Sequence, residues 1–380
     1  MKPEVLIIGA GIVGAALAEC CARHGLRTLV LDSGLPGAGT TAAGMGHLVT
    51  LDGSAAELAL SSRGLRLWQA RRADLPAAAA YSACGTLWLA RDEAEMHEAE
   101  RKHAILQAST PARLLNRSAL YAAEPNLAGG LQGGLLLPDE AVIYPPAACH
   151  WLLEQAQSLG AGLISHCPVA AVEDGSVVLG NGHRIRADRV VLAAGCQSRN
   201  LLPELPLLPR KGQLVITERY AGLVRHQLVE LGYLQSAHGD GDSVAFNVQP
   251  RPTGQLLIGS SRESSDSLDP ELNWPLLQRM LRRAFDYLPA LQAVQAIRCW
   301  SGFRPATPDK QPLLGRAVGY QKLWLATGHE GLGVTTALAS AELLSALMLD
   351  QAPAIDPAPF DPARFSRAAA AIPCLQEANA

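Results

Sequence analysis

The sequence predicts an α/β fold: a Rossmann-type domain interwoven with an α+β domain built on a mostly antiparallel sheet. Three observations carry that expectation. They are a glycine-rich strand–turn–helix signature at the N-terminus, α/β texture that returns in the middle and at the end of the chain, and strand-rich stretches between. In the signature, the apolar run Val5-Leu6-Ile7-Ile8 enters the turn Gly9-Ala10-Gly11-Ile12-Val13-Gly14, and an alanine-rich stretch reaching Arg23 leaves it. A second apolar run over 28–31 ends in Asp32, followed by Ser33. A lone G-x-G-x-x-G is a weak signal, but strand, helix, second strand and acid all stand in place here. Gly9 permits the tight turn, Gly11 lets the backbone approach a pyrophosphate, and Gly14 lets helix and strand pack closely. The helix N-terminus turns N–H groups and a partial positive charge toward the phosphates. Asp32 suits ribose hydroxyls and disfavours a 2′-phosphorylated nucleotide. A dinucleotide site is expected.

Composition narrows the class. A chain of 380 residues favours two domains, and 48% apolar residues can fill sizeable cores. The formal charge of −3, without a basic stripe, gives no case for nucleic acid or an anionic membrane. Eight cysteines (20, 21, 84, 149, 167, 196, 299 and 374) form no C-x-x-C and no Cys/His cluster of metal-ligand spacing. Zinc and iron–sulfur sites are therefore not expected, and a reducing, cytoplasmic setting fits. The longest apolar stretches, about 14 residues, are too short for a transmembrane segment. The glycine pattern explains the apolar N-terminus better than a signal peptide does.

Along the chain, apolar periodicity predicts helices over 55–74, 93–107, 146–159, 274–285 and 335–349. Strands are expected over 85–90, 135–137, 161–165, 169–173, 176–179, 183–185, 189–195, 213–217, 228–234, 243–248, 256–260 and 323–326. The Pro- and Ala-rich tail after 351 is expected to wrap the surface.

Three further segments favour a flavin over a nicotinamide. The stretch 37–47, with Thr40, Thr41, Ala43, Gly44, Met45, Gly46 and His47, offers small residues that let backbone approach a flat ring closely. The strand over 189–195 ends in Ala194 and Gly195, and Val169 joins the same cofactor set. Gly328, His329, Gly331, Leu332, Gly333 and Val334 open the final helix, whose N-terminus would stabilise charge developing on a reduced ring. The FAD-binding domain is expected over 1–80, 141–208 and 303–380, and the substrate-binding domain over 81–140 and 209–302.

GAGIVGAALA, TTAAGMGHL, RVVLAAG, WSGFRPATPD and GHEG occur in this order. Together they resemble the D-amino-acid oxidase/glycine oxidase family of FAD-dependent amine oxidoreductases. TTAAGMGHL and GHEGLGVTTALASAELL look most like the β-type subunit of D-hydroxyproline dehydrogenases, with opine oxidase and cyanide-forming glycine dehydrogenase subunits as close relatives. The resemblance implies oxidation of a small amino acid or secondary amine by hydride transfer from its α-carbon to flavin N5, with D-hydroxyproline or D-proline the best single guess. It implies that Arg304 holds the substrate carboxylate through a two-pronged ion pair. Phe246 and Asn247 fall where relatives place a substrate-facing tyrosine, although Phe246 reads equally as core. His47 and His329 flank the expected flavin and read either as catalytic or as structural groups. Gly302 stands where sarcosine-oxidase-like members carry their flavin-linked cysteine, so FAD is expected to be non-covalent. The oxygen-activating lysine of those oxidases is also missing, which leans toward a dehydrogenase. Alternatives are a glycine/sarcosine-type oxidase, an opine oxidase subunit, or an FAD-bearing relay subunit with an iron–sulfur partner. A nicotinamide enzyme is a distant further reading.

Overall fold

The computed structural model describes residues 2–232, 242–265 and 267–366. Cys374 and the end of the strand expected over 228–234 lie outside them. One six-stranded sheet runs in the order Leu313–Arg316, Leu323–Thr327, Arg189–Leu192, Val5–Ile8, Thr28–Leu31, Gly162–Ile164. All of its neighbours pair in parallel except the first two. Alternation splits each strand between two cores. Val5, Ile7, Val30 and Val191 face the helices Ile12–Arg23, Ala55–Arg71, Pro145–Ser158 and Gly333–Met348, while Leu6, Ile8, Leu31 and Val190 face Val177, Leu202 and Leu207. A sheet covered on both faces explains why these strands read as unbroken apolar runs.

An eight-stranded sheet carries the other half. Its order is Ala296–Ala306, Leu208–Arg219, Gln255–Ser264, Ser243–Pro250, Gln227–Glu230, Thr86–Ala90, Gly133–Leu137, Arg113–Asn116. Only Gln227–Glu230 with Thr86–Ala90 pairs in parallel. Helix Trp274–Tyr287 covers one face with Leu277, Met280, Ala284 and Tyr287, a 3–4 spacing that makes one apolar stripe. Asn273 caps that helix by accepting from the Leu276 amide at 3.2 Å. On the opposite face helix Glu93–Leu106 packs Ala99 and Leu106 against Trp88, Ala90, Leu135, Leu137 and Val229, and the rest of that face looks into the cavity described below.

Most expected helices and strands form with ends shifted by a few residues. The helix expected over 55–74 ends at Arg71, and the strand over 213–217 grows to Leu208–Arg219. The strands Arg113–Asn116, Leu313–Arg316 and Ala296–Ala306 and the helix Arg117–Ala123 were not anticipated. The expected boundary at 302/303 cuts through Ala296–Ala306, which pairs along its length with Leu208–Arg219 and belongs whole to the antiparallel sheet. No helix among the described residues is long and apolar enough to cross a membrane.

Helices Ala55–Arg71 and Gly333–Met348 cross at Gly64, where an added Cβ would stand 2.2 Å from the Thr335 carbonyl oxygen. Trp68 Nε1 donates to the Val334 carbonyl at 2.9 Å, and Arg63 clasps Glu342 at 2.6 and 2.8 Å. Helix propensity favours alanine over glycine by about 1 kcal/mol. Overpacking costs about 1–3 kcal/mol, and here the obstacle is backbone, which cannot swing away. Gly64→Ala should therefore lower the thermal midpoint in a calorimetric scan; a raised midpoint would show that the crossing tolerates a methyl group.

Candidate active site

A cavity of about 860 Å³ is lined from both sheets. Its first wall stands at the carboxyl ends of the parallel strands, where such folds bind ligands. Gly9 sits at φ +107° with an added Cβ only 2.5 Å from the Ala193 carbonyl oxygen, so no side chain fits. Gly11 brings no side chain to cap helix Ile12–Arg23, so the first-turn amides that Thr41 does not take are left to a ligand. The Ile12 amide donates to Thr41 Oγ1 at 3.0 Å, tying the turn to the segment after the second strand. Asp32 accepts from the Ala10 amide at 2.6 Å and the Gly34 amide at 2.8 Å. Its oxygens keep lone pairs for a ribose.

Of the residues expected to hold a cofactor, Gly9, Gly11, Ile12, Val13, Asp32, Ser33, Thr40, Thr41, Ala43, Gly44, Met45, Gly46 and Val169 line this cavity. So do Ala194, Gly195, Gly302, Arg304, His329, Gly331, Leu332, Gly333 and Val334. Gly14 and Gly328 do not. A Cβ on Gly14 would lie 1.9 Å from the Gly9 carbonyl oxygen, and one on Gly328 would lie 2.8 Å from Thr307 Cγ2. Both shape the wall from behind.

The second wall is the face of the antiparallel sheet opposite helix Trp274–Tyr287, beyond the end that helix Glu93–Leu106 covers. Arg304 lies on the edge strand Ala296–Ala306, and its guanidinium crosses Gly212, whose added Cβ would meet Nη2 at 2.6 Å. Nη1 donates to the Ser261 carbonyl at 3.2 Å, which seats the group. Arg262 and Glu330 form a largely buried ion pair at 2.9 Å. Lys102, 1% exposed, pairs with Asp52, and its ammonium stands 4.8 Å from the ring centre of Trp88. Burial alone would raise the Asp52 carboxyl, but Lys102 and Arg101 outweigh it and hold it below the usual range. Trp88, Lys102, Asp52, Gln227, Val229 and Asn247 all line the cavity.

Sequence reasoning missed Lys102 because its helix, Glu93–Leu106, is charge-rich and reads as a solvated face. Gly212 carried no signal either, since its use appears only when strand 208–219 meets strand 296–306.

Three expectations are corrected. Phe246 does not face the cavity: it is fully buried and stacked on Tyr287 at 4.6 Å between ring centres. Strand alternation turns Asn247 inward instead. The two histidines line the cavity but are not poised as acid–base groups. Burial, with the charges of Arg251 and Arg304, lowers His47 to about 3, and burial lowers His329 to about 4. The Ser340 hydroxyl lies 3.0 Å from His329 Nε2, which faces the final helix. Both rings are neutral near pH 7, and a base this weak is a poor proton acceptor.

A family model described as FAD dependent oxidoreductase (DAO) matches residues 4–347. The chain belongs to this FAD-dependent oxidoreductase family. Glycine oxidase of Pseudomonas aeruginosa is 30% identical over 96% of this chain and 99% of that protein. The solved glycine oxidase of Geobacillus kaustophilus superposes with TM-score 0.85 at 24% identity, covering 95% of this chain and 98% of that one. The L-proline dehydrogenase of P. horikoshii gives TM-score 0.87 at 22% identity, covering 97% and 98%. These structural likenesses bear out the α/β fold. FAD is the cofactor of this oxidoreductase, and the glycine cradle, the uncapped helix end and Asp32 fit its dinucleotide. Among the described residues, no group of three or more His, Cys, Asp or Glu could hold a metal ion.

Asp32 supports the glycine turn through Ala10, so Asp32→Ala should weaken FAD binding. Loss of a charged acceptor for buried amides costs about 1.5–3 kcal/mol, or a 10- to 150-fold rise in Kd when FAD is titrated into apoprotein. An unchanged Kd would remove Asp32 from the site.

The neutral histidines also set an acid limit. On unfolding each ring regains its ordinary affinity for protons, so unfolding takes up protons between pH 6.5 and the folded values of about 3 and 4. This contribution to stability is complete above pH 6.5 and fades as the pH falls. Glu140, pushed up to about 8 by burial, has the opposite sign: its contribution is complete below pH 4.5 and fades as the pH rises through 8. His329→Asn keeps Glu140 and removes one histidine. In urea titrations the wild-type protein should lose more stability between pH 7.5 and pH 5 than the variant; equal losses would contradict the buried neutral ring.

Proposed function

We propose that this protein oxidises a small amino acid or N-substituted amino acid of the glycine or sarcosine type, with Arg304 holding the carboxylate. The observation that carries this reading is the guanidinium seated across Gly212 against the Ser261 carbonyl in a cavity shaped for FAD. Its planar fork suits a carboxylate, and its anchoring fixes where the α-carbon stands. FAD bound here, without a covalent link, supplies the two-electron acceptor for the α C–H bond. The substrate ammonium must lose its proton before the hydride leaves; because His47 and His329 are such weak bases, that proton passes to solvent as the substrate binds, and the side chains position the free amine. The imine product leaves and hydrolyses in water.

The 30% identical glycine oxidase supports the glycine/sarcosine-type reading above D-hydroxyproline or an opine. An iron–sulfur partner is needed only if oxygen fails to accept the electrons. A panel of glycine, sarcosine, D-alanine, D-proline, D-hydroxyproline and opines, added anaerobically, tests the substrate class by flavin bleaching. Re-oxidation by oxygen or by a quinone then separates oxidase from dehydrogenase. Absence of bleaching by the whole panel would sink the proposal.

Arg304→Ala should reduce kcat/KM by about 30- to 5,000-fold, since losing a buried charge partner costs roughly 2–5 kcal/mol. Arg304→Lys should recover only part of this, because a point charge lacks the fork. Equal activity in all three proteins would show that the carboxylate binds elsewhere.

A further inference from the structure

The seat of Arg304 adjoins a second arginine. Arg304 Nη1 donates to the Ser261 carbonyl at 3.2 Å, and the next residue on that strand is Arg262, which also lines the cavity. Consecutive Cα atoms stand about 3.8 Å apart, so the root of Arg262 lies beside the guanidinium of Arg304. The proposed reaction uses only Arg304. A second guanidinium at this place suits a second carboxylate, and with it a dicarboxylic acid. Glu330 stands in the way: it also lines the cavity and pairs with Arg262 at 2.9 Å, both side chains being largely buried.

The backbone holds Glu330 at this spot. Its amide donates to the Pro305 carbonyl at 2.9 Å, which ties it to the residue after Arg304. On its other flank, a Cβ added to Gly331 would lie 3.8 Å from Arg304 Cδ. Glu330 itself sits at φ +47°, in the left-handed region that favours glycine, as Gly328 does at +81°. A glutamate kept in that conformation on a cavity wall points to a task for its carboxylate. We propose that Glu330 is a specificity-determining residue: it occupies Arg262 and sets negative charge beside Arg304, so that the site takes monocarboxylic amino acids and turns away dicarboxylic ones. A second substrate carboxylate would meet a like charge there. To reach Arg262 it must displace Glu330 and leave a buried carboxylate without its partner. The proposal rests on the substrate carboxylate lying at Arg304 and deepens that reading by naming the class refused. Opines, which carry two carboxylates, fall in that class; glycine and sarcosine do not.

Isothermal titration of the holoprotein with propionate against malonate, and butyrate against succinate, tests this without turnover. Within each pair a methyl group is replaced by a carboxylate, so size is nearly matched. The wild-type protein should bind each monoacid at least about 10-fold more tightly than its dicarboxylic counterpart. Glu330→Gln keeps the shape and removes the charge, and should raise the diacid-to-monoacid affinity ratio at least about 10-fold. Adding Arg262→Gln should reverse that rise, which a merely structural role for Glu330 would not produce. Arg304→Ala should abolish binding of the monoacids. Flavin content and far-UV circular dichroism report folding; should Glu330→Gln lose FAD, Glu330→Gly, which suits the left-handed backbone, carries the comparison. If Arg304→Ala abolishes monoacid binding but the ratio is the same in wild type and Glu330 variants, the role of Glu330 is wrong and the carboxylate reading stands. A wild-type protein that binds succinate as tightly as butyrate overturns that role equally. If no monoacid binds the wild-type protein, the carboxylate reading fails and the role of Glu330 falls with it.

Discussion

The short helix Thr40–Ala43 lies against the edge strand Ala296–Ala306, and this seam fixes the relation of the two sheets at the cavity. Thr40 Oγ1 donates to the Phe303 carbonyl at 2.8 Å, and Trp300 Nε1 donates to the Ala43 carbonyl at 3.2 Å. Between them, Gly302 lies so close that an added Cβ would stand 2.3 Å from Ala43 Cβ. Thr41, one position on, receives the Ile12 amide of the nucleotide-binding helix. Arg304 stands two residues from Gly302 on the same strand. The dinucleotide turn and the guanidinium are thus linked through one helical turn and one glycine. The contact also excludes a side chain at 302.

The N-terminal half of this arrangement was legible in the sequence. The turn from Gly9 to Gly14, the helix behind it and Asp32 all depend on local chemistry: positive φ, close backbone approach and a carboxylate one strand away. The far wall was less legible because its chemistry is made by non-local pairing. Strand 296–306 mixes Arg298, Ser301, Gly302 and Pro305, and it becomes a strand by pairing with 208–219, some 90 residues earlier. Phe246 and Asn247 show the same limit at finer grain. A period of two says that they face opposite ways, but which one faces in is set by helix 274–287 packing on the other side.

Lys102 is the sharpest such case. Within its helix it has acidic and basic neighbours and looks like one more solvated charge. Asp52, some 50 residues away, draws it inward, and Trp88 gives its ammonium a face to cover. A buried pair of this kind contributes little net stability, because desolvating two ions offsets much of their attraction. Its consequence is geometric: it holds an indole at one place in the cavity wall.

The electrostatics of the cavity follow one pattern, in which charge is cancelled locally wherever it is not used. Arg262 is matched by Glu330, and Lys102 by Asp52. His47 is discharged by burial, assisted by Arg251 and Arg304. The link between His47 and Arg304 is reciprocal: if the guanidinium disfavours a proton on His47, a carboxylate that screens the guanidinium must favour one. Burial remains the larger cause of the lowered His47 value. A neutral His47 also adds no second cation near Arg304 that could offer a carboxylate a competing resting place. On the proposed reading, an α-amino acid in this pocket is oriented by the fork of Arg304.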